Sequence, residues 1–173
     1  GKAQRSLRAF RWTRYRQERE RLMRVLIADD HGLFRDGLRS LLEARGIEVV
    51  AEARNGQEAV DLARLHRPDI VLMDLSMPEQ SGMDALGMIR AKAPDLGVLI
   101  LSGYPEEHYA TNLIRQGASG FLNKECEPDE IVTAIRTIAT GKRYISASVA
   151  DLLAQQLGKS GDGLPHEQLS ERE

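Results

Sequence analysis

The sequence predicts a three-layer α/β fold built on a five-stranded parallel β-sheet. Five apolar runs have the length of buried strands, at residues 25–28, 49–51, 70–73, 98–101 and 120–122. The segments between them repeat apolar residues with the period of an amphipathic helix. Strands that alternate with helices pair in parallel through right-handed crossovers, which place helices on both faces of the sheet.

The helices between the strands are predicted from the spacing of their apolar residues. Asn55, with Glu58 three residues later, marks the start of the second helix. Pro94 ends the third helix, and Pro128 lies near the first turn of the fifth. The apolar positions of the five helices, in chain order, are Phe34, Leu38, Leu41 and Leu42; Leu62, Ala63 and Leu65; Leu86, Ile89 and Ala93; Ala110, Leu113, Ile114 and Gly117; and Ile131, Ala134, Ile135 and Ile138.

Four segments are expected along the chain. Residues 1–22 form a basic extension, which is either a segment outside the compact domain or an arm that contacts phosphates. The compact domain is expected at 23–142 and an amphipathic linker helix at 143–158, whose stripe packs on the domain or serves a homodimer. Residues 159–173 begin as a flexible, glycine-rich linker. The stripe of the linker helix consists of Val149, Leu152, Leu153 and Leu157.

The strand order places three carboxylates together. An α/β repeat of this size commonly adopts the flavodoxin-like order 2-1-3-4-5, with a ligand crevice between the carboxyl ends of strands 1 and 3. Strand 1 ends in Asp29 and Asp30, and strand 3 ends in Asp74. Because three carboxylates at one edge repel each other, we expect a cation to join them.

The residue types at this edge predict phosphoryl transfer to an aspartate with Mg²⁺ as cofactor. Asp74 is the candidate acceptor, since a carboxylate can form an acyl phosphate. Mg²⁺ prefers oxygen ligands from carboxylates and phosphate. Asp30 and Asp74 would supply them, Asp29 would bind directly or through water, and Ser76 could add its backbone carbonyl.

Two donors for a phosphoryl group are expected at the same edge. Ser102 ends the fourth strand, and Lys124 ends the fifth. The ammonium group and the hydroxyl could each pair with a phosphoryl oxygen. His31 is interpreted as a surface histidine on the first helix, with a metal ligand or a phosphorylation site as the alternatives.

These residues stand in motifs that resemble the receiver domain of two-component response regulators, and more narrowly the NarL/FixJ subfamily. The matching pieces are Ala-Asp-Asp-His at 28–31, Asp-Leu-Ser-Met-Pro at 74–78, Leu-Ser at 101–102, Gly-Ala-Ser-Gly-Phe-Leu-Asn-Lys at 117–124 and Gly-Lys-Arg-Tyr-Ile-Ser at 141–146. The tail Leu-Ser-Glu-Arg-Glu at 169–173 looks like the opening of a LuxR-type helix-turn-helix domain. The resemblance therefore implies a transcription regulator truncated at the start of its DNA-binding domain.

The resemblance implies a cytoplasmic signalling protein and not an enzyme that acts on other substrates. It also implies a role for each site residue. Asp74 would take phosphate from the histidine of a sensor kinase, with Asp29 and Asp30 at Mg²⁺ and Lys124 on the phosphate. The phosphorylated domain would control DNA binding by the missing C-terminal domain. Two residues would form the conformational switch: Ser102 and Phe121. Phe121 lacks the hydroxyl of a tyrosine, so switching there would work by packing alone.

Other function classes fit the sequence less well. An aspartyl-nucleophile phosphatase carries Asp-x-Asp after its first strand, whereas the aspartates here are adjacent. A cobalamin domain with Asp-x-His-x-x-Gly needs glycine where this chain has Phe34. A receiver-like interaction module without DNA output is a further alternative.

Composition restricts the partners. The net charge of −2 is unevenly distributed. Residues 1–24 carry nine Lys and Arg against two Glu, and the rest of the chain carries fifteen basic against twenty-four acidic residues. An acidic body of this kind argues against sequence-specific DNA binding by this chain alone. No apolar run approaches the roughly 20 residues of a membrane span, and we expect no membrane association.

Overall fold

The computed structural model describes residues 2–4 and 21–161, with the backbone alone at 106–108 and 160–161. Most of the predicted basic extension and all of the predicted helix-turn-helix opening lie outside the described residues. The elements, in chain order, are β1 (Arg24–Ala28), α1 (Gly32–Ala44), β2 (Glu48–Ala53), α2 (Gly56–His66), β3 (Ile70–Asp74), α3 (Gly82–Lys92), β4 (Gly97–Ser102), α4 (Glu106–Arg115), β5 (Gly120–Asn123), α5 (Pro128–Ala139) and α6 (Ala147–Gly161).

The five strands form one parallel sheet in the order β2-β1-β3-β4-β5, which confirms the predicted flavodoxin-like topology. β3 lies at its centre, and all five of its residues are buried. The register pairs Ala28 with Met73 and Asp74 with Leu101. The ends of β1, β3 and β4 therefore lie level at the carboxyl edge of the sheet.

Two apolar layers hold the helices on the sheet. Alternate side chains of β3 point to opposite faces, as the pleat of a strand requires. Val71 and Met73 pack with α2, α3, α4 and the start of α6, and Ile70 and Leu72 pack with α1 and α5. The chain thus covers both faces of the sheet, as the three-layer prediction requires.

Local signals start and end the helices largely as predicted. The side chain of Asn55 accepts a hydrogen bond of 2.8 Å from the backbone N–H of Glu58 and caps α2. Pro128 occupies the first turn of α5. Leu65 does not join the predicted apolar stripe, because α2 turns it outward near its last turn and leaves it 73% exposed. Gly117 lies beyond α4 with a φ of +103°, so it ends the helix instead of packing within it.

The final helix differs from its predicted bounds. α6 begins at Ala147 and continues through Gly161, so the first residues of the predicted linker are helical. Val149 is buried against the sheet-side core, and Leu157 is 71% exposed. Gln156 donates a hydrogen bond of 3.3 Å to Thr111 of α4. The stripe therefore packs on the domain through its N-terminal part, with α4 as its neighbour.

The N-terminal boundary of the compact domain shows in contacts before β1. Arg21 forms an ion pair of 3.2 Å with Asp69, and the backbone N–H of Arg24 donates to the same carboxylate at 2.9 Å. Met23 packs against the apolar layer under α1. Among the residues that the structure describes, no helix has both the length and the apolar character to cross a membrane.

Candidate functional site

The fold brings the sequence-predicted carboxylates and the lysine together at the carboxyl edge of the sheet. The loop after β3 reaches this position because α3 starts very close to it. A Cβ on Gly82 would lie 2.2 Å from the backbone oxygen of Asp74, so only glycine fits there. The backbone N–H of Gly82 donates to the carbonyl of Leu75 at 3.1 Å and fixes the loop in place.

Lys124 joins two buried carboxylates. Its Nζ lies 2.6 Å from Oδ2 of Asp29 and 3.4 Å from Oδ2 of Asp74. Asp29 is 2% exposed and Asp74 is 4% exposed. Because both carboxylates are out of water, a single ammonium group between them has a much larger effect than on the surface. The ammonium group also lies over the ring of Phe34, whose centroid is 4.6 Å from Nζ, which is a cation–π contact.

Of the two buried carboxylates, Asp74 lies farther from the positive charge of Lys124. Burial raises the pKa of the Asp74 carboxyl above its ordinary value, and the charge on Asp29 raises this pKa further. Lys124 and the backbone N–H of Ser76 act in the opposite direction. Oδ2 of Asp74 is buried, and its contact with Lys124 Nζ, at 3.4 Å, is too long for a well-formed hydrogen bond. This oxygen can therefore accept a closer partner than the lysine provides.

An acidic cluster suited to a cation lies beside this pair. Asp29, Asp30, His31 and Asp74 each offer one ligand atom, and these atoms lie within 4.8 Å of one another. Asp30 is exposed, so a cation could be reached from solvent. His31 is 64% exposed beside α1, as the predicted surface histidine, and its Nδ1 also lies 3.0 Å from Oδ1 of Asp29. The signal that could have identified this contact is the position of His31 directly after Asp29 and Asp30.

Ser102 reaches the same edge but faces its own loop. It is fully buried at the end of β4, and its Oγ accepts a hydrogen bond of 3.0 Å from the backbone N–H of Tyr104. Its backbone carbonyl accepts from the N–H of Lys124 at 2.8 Å. The structure thus places the hydroxyl near the edge and ties it to the loop that follows β4.

Phe121 lies one layer below the site. It is buried in β5, within the apolar layer that also contains Ile114, Ala118 and Val149. The predicted switch position is therefore connected by packing to α4 and to the start of α6. Its role in switching stays a prediction.

A cavity of about 500 Å³ opens above the carboxylates. Tyr104 and Gly103 form one wall, and Leu33 and Phe34 form the wall on the side of α1. Asp74, Lys124, His31 and Ser76 also line it. Ser76 is thus placed beside the site, and metal binding by its carbonyl stays a prediction. The cavity is wide enough for a phosphoryl group and part of its donor.

The comparisons with known proteins agree with this geometry. A profile of the response regulator receiver domain matches residues 25–136. The response regulator UvrY of Escherichia coli K12 is 38% identical over 154 residues, which cover 88% of this chain and 71% of UvrY. The transcriptional regulatory protein DegU of Brevibacillus brevis is 37% identical over 141 residues, which cover 81% of this chain and only 60% of DegU.

A solved structure shares the fold as well as the sequence. The LuxR-family two-component response regulator from Aurantimonas sp. SI85-9A1 is 37% identical to this chain, with a TM-score of 0.73. The superposition covers 80% of this chain and 99% of that one. Neither a phosphatase nor a cobalamin domain is supported by these matches. The chain therefore belongs to the receiver-domain family of two-component response regulators of the LuxR/NarL type.

Proposed function

We propose that Asp74 is the phosphoacceptor of this receiver domain and takes its phosphoryl group from a sensor histidine kinase. The observation that supports this most is the place of Asp74 in the lining of an open cavity, with its buried Oδ2 3.4 Å from Lys124 Nζ. A carboxylate that lines such a cavity can be reached by an incoming phosphorus atom. A structural carboxylate at the end of a central strand would instead be fully hydrogen-bonded.

The transfer follows from the positions of the charged groups. A carboxylate oxygen of Asp74 attacks phosphorus while the P–N bond of the donor's phosphohistidine breaks, and the released imidazole keeps the electron pair. Lys124 pairs with one equatorial oxygen of the moving phosphoryl group. Its short contact with Asp29 keeps the ammonium group at this position before the donor arrives.

The acidic cluster fits Mg²⁺ as the cofactor. Asp29, Asp30 and Asp74 would hold the ion, with the carbonyl of Ser76 as a further oxygen ligand. When bound, Mg²⁺ supplies charge neutralisation for the phosphoryl oxygens. The repulsion between Asp29 and Asp74, which raises the pKa of Asp74, is the feature of this chain that such an ion would relieve.

The proposed switch couples Ser102 to Phe121. The Oγ of Ser102 accepts from the Tyr104 N–H, and its O–H would donate to an oxygen of phosphate on Asp74 and so draw the loop after β4 toward the site. One charge-assisted hydrogen bond is worth about 1.5–3 kcal/mol. Reversing a 1:99 population takes about 5.5 kcal/mol, so repacking of Phe121 and α4 must contribute the rest.

The partners of the whole protein are part of the same proposal. A sensor histidine kinase would be the donor in the cytoplasm, and DNA would be bound by an output domain of the whole protein. The matches cover 60% of DegU and 71% of UvrY, so the chain spans only part of the length of these relatives. A homodimer through α4 and α6 is compatible with the exposed part of α6. This chain alone is proposed not to bind DNA sequence-specifically.

Acetyl phosphate with Mg²⁺ tests the assignment of Asp74. We expect a gain of one phosphoryl mass in the intact protein, abolished in Asp74→Asn and in Asp30→Ala. Asp36→Asn removes an exposed carboxylate of α1 and should label like the wild type. Stoichiometric labelling of Asp74→Asn in mass spectrometry would refute the assignment.

A further inference from the structure

One arginine of α1 reaches back to the loop that follows β1. Nη1 of Arg35 donates to the backbone carbonyl of Asp29 at 2.5 Å, and the Arg35 side chain is only 13% exposed. The ion pair that Arg35 forms is with Glu52 of β2 and not with the acidic side chains of the loop. A charged group is thus spent on a backbone oxygen beside the acidic cluster.

The bonded oxygen belongs to the peptide unit between Asp29 and Asp30. Because this unit is planar, the direction of its oxygen sets the orientation of the whole unit. The other side of Asp29 is fixed as well, since its N–H donates to the carbonyl of Ala53 at 2.9 Å. The bond from Arg35 therefore restricts ψ of Asp29 and φ of Asp30. It sets the direction of the Asp30 carboxylate, which is 34% exposed, relative to the buried carboxylate of Asp29.

Glu52 holds the guanidinium group of Arg35 in this position. Nε of Arg35 lies 3.6 Å from Oε1 of Glu52, and both atoms are buried without a hydrogen bond among the described residues. The other oxygen of Glu52 accepts a hydrogen bond of 3.1 Å from Nη2 of Arg39, one turn later on α1. Separating two buried charges leaves each without compensation, so the pair restrains Arg35 from the side of β2.

We propose that Arg35 is a positioning residue for the cation site: it orients the peptide unit between Asp29 and Asp30 and thereby raises the affinity of the site for Mg²⁺. The inference rests on the proposed function, in which these aspartates and Asp74 hold the ion. A ligand that already has its bound direction loses less conformational freedom on binding than one that must be ordered. Arg35 bonds to a carbonyl and not to a carboxylate, so it acts on the binding of Mg²⁺ and not on the transfer step.

The charge of Arg35 on its own predicts the opposite effect. A guanidinium group beside the acidic loop repels a dication, so its removal should strengthen Mg²⁺ binding if charge is what matters. Loss of orientation should weaken Mg²⁺ binding. The two explanations therefore differ in the sign of the change.

The test compares the whole chain as the wild type with Arg35→Met, Arg35→Lys and Arg39→Met. Arg35→Met keeps an apolar stem without donors, and Arg35→Lys keeps one donor group. Arg39→Met is the matched control, because it removes the other arginine on Glu52 and leaves the Asp29 carbonyl bonded. NMR titration of the unphosphorylated proteins with MgCl₂ should give an affinity about tenfold or more lower for Arg35→Met, the scale of outer-shell partners. Arg35→Lys should lie between Arg35→Met and the wild type, and Arg39→Met should bind at least as tightly as the wild type.

The carbonyl carbon of Asp29 reports the bond directly. Loss of the donor should move its ¹³C resonance upfield in metal-free Arg35→Met and leave it unchanged in Arg39→Met. Arg35→Gln, whose side chain is too short to reach the carbonyl, takes the place of Arg35→Met if that variant does not fold. A variant of Arg35 that has lost this bond but binds Mg²⁺ as tightly as the wild type, or more tightly, would overturn the inference. An equal weakening in Arg39→Met would overturn it as well.

Labelling with acetyl phosphate separates this inference from the proposed function. At saturating Mg²⁺ the labelling rate of Arg35→Met should match that of the wild type, with half-maximal labelling at a Mg²⁺ concentration about tenfold or more higher. If Asp74 labels in the wild type but Mg²⁺ affinity does not depend on Arg35, the proposed function stands and the positioning role is refuted. If Mg²⁺ affinity depends on Arg35 but Asp74 does not label in the wild type, the positioning role stands and the phosphoacceptor is refuted.

Discussion

The carboxyl edge of the sheet has two halves that differ in how far their side chains are assembled. The acidic half consists of Asp29, Asp74 and Lys124, whose charged atoms already lie 2.6–3.4 Å apart. The hydroxyl half consists of Ser102 and the loop through Tyr104, where the hydroxyl is bonded to its own loop. The two halves are linked through the backbone, since the N–H of Lys124 donates to the carbonyl of Ser102.

The difference shows which half is preorganised and which has to move. Charged groups at the ends of β1, β3 and β5 stay in place because rigid strands and Gly82 position them. In the hydroxyl half, the Oγ of Ser102 accepts from the loop, and its O–H has to turn toward the site before it can donate to a phosphoryl oxygen. We infer that phosphoryl transfer takes place at the acidic half and that the hydroxyl half changes conformation in response.

The largest effect is expected from removing the cation of the acidic half. Lys124→Ala leaves Asp29 and Asp74 facing each other without compensation. We expect the rate of labelling by acetyl phosphate to fall about 10²–10³-fold, as for the loss of one preorganised donor. Stability should fall by about 3 kcal/mol, because a buried charge loses its partner. Lys92→Ala, at the exposed end of α3, should change neither quantity. Near-normal labelling of Lys124→Ala would show that the acidic half does not carry the chemistry.

Asp74→Asn is expected to raise the stability of the protein, by less than Lys124→Ala lowers it. The pKa of Asp74 is raised in the folded protein, so its contribution to stability is present at low pH and lost as pH rises through that raised value. In metal-free buffer at pH 7 the variant should be more stable than the wild type by about 1 kcal/mol, the scale of an unsatisfied buried group. The difference should shrink as pH falls toward the ordinary value of 3.8. Urea unfolding of both proteins across this pH range measures it, and a constant difference would contradict the stated cause.

The smallest effect on the unmodified protein is expected in the hydroxyl half. Ser102→Ala removes the acceptor for the Tyr104 N–H and should cost about 1 kcal/mol. With beryllofluoride and Mg²⁺, the variant should still bind at Asp74 but should lose the amide shift changes in the loop after β4 and in α4. Ser119→Ala is the control, because Ser119 accepts a similar bond of 3.0 Å from Val98 N–H at the other end of β4. Unchanged NMR responses in Ser102→Ala would remove Ser102 from the switch.

The fold was largely predictable because its signals are local. Apolar runs predicted every strand to within one or two residues, and Asn55 with Glu58 predicted a cap that forms. The convergence of Asp29, Asp74 and Lys124 followed from strand order alone. Less predictable was the contact that each group makes: Lys124 lies nearer to Asp29 than to Asp74, and Ser102 bonds to Tyr104.

The same limit applies to His31 and to the end of α6. His31 is exposed, as predicted, but the hydrogen bond of its Nδ1 with Asp29 depends on side-chain orientation in the turn between β1 and α1, which the local sequence does not specify. Glycine-rich composition predicted a linker from residue 159, whereas α6 continues to Gly161.

Because α6 contacts α4, a movement of α4 would be transmitted along the length of α6. Val149 fixes one end of α6 in the apolar layer with Phe121, and Gln156 ties its middle to Thr111. A helix of fifteen residues is about 22 Å long. If α4 shifted enough to tilt α6 by about 10°, the far end would travel about 4 Å. A repacking around the buried Phe121 that tilted α6 in this way would thus become a displacement longer than a hydrogen bond at the far end of the helix.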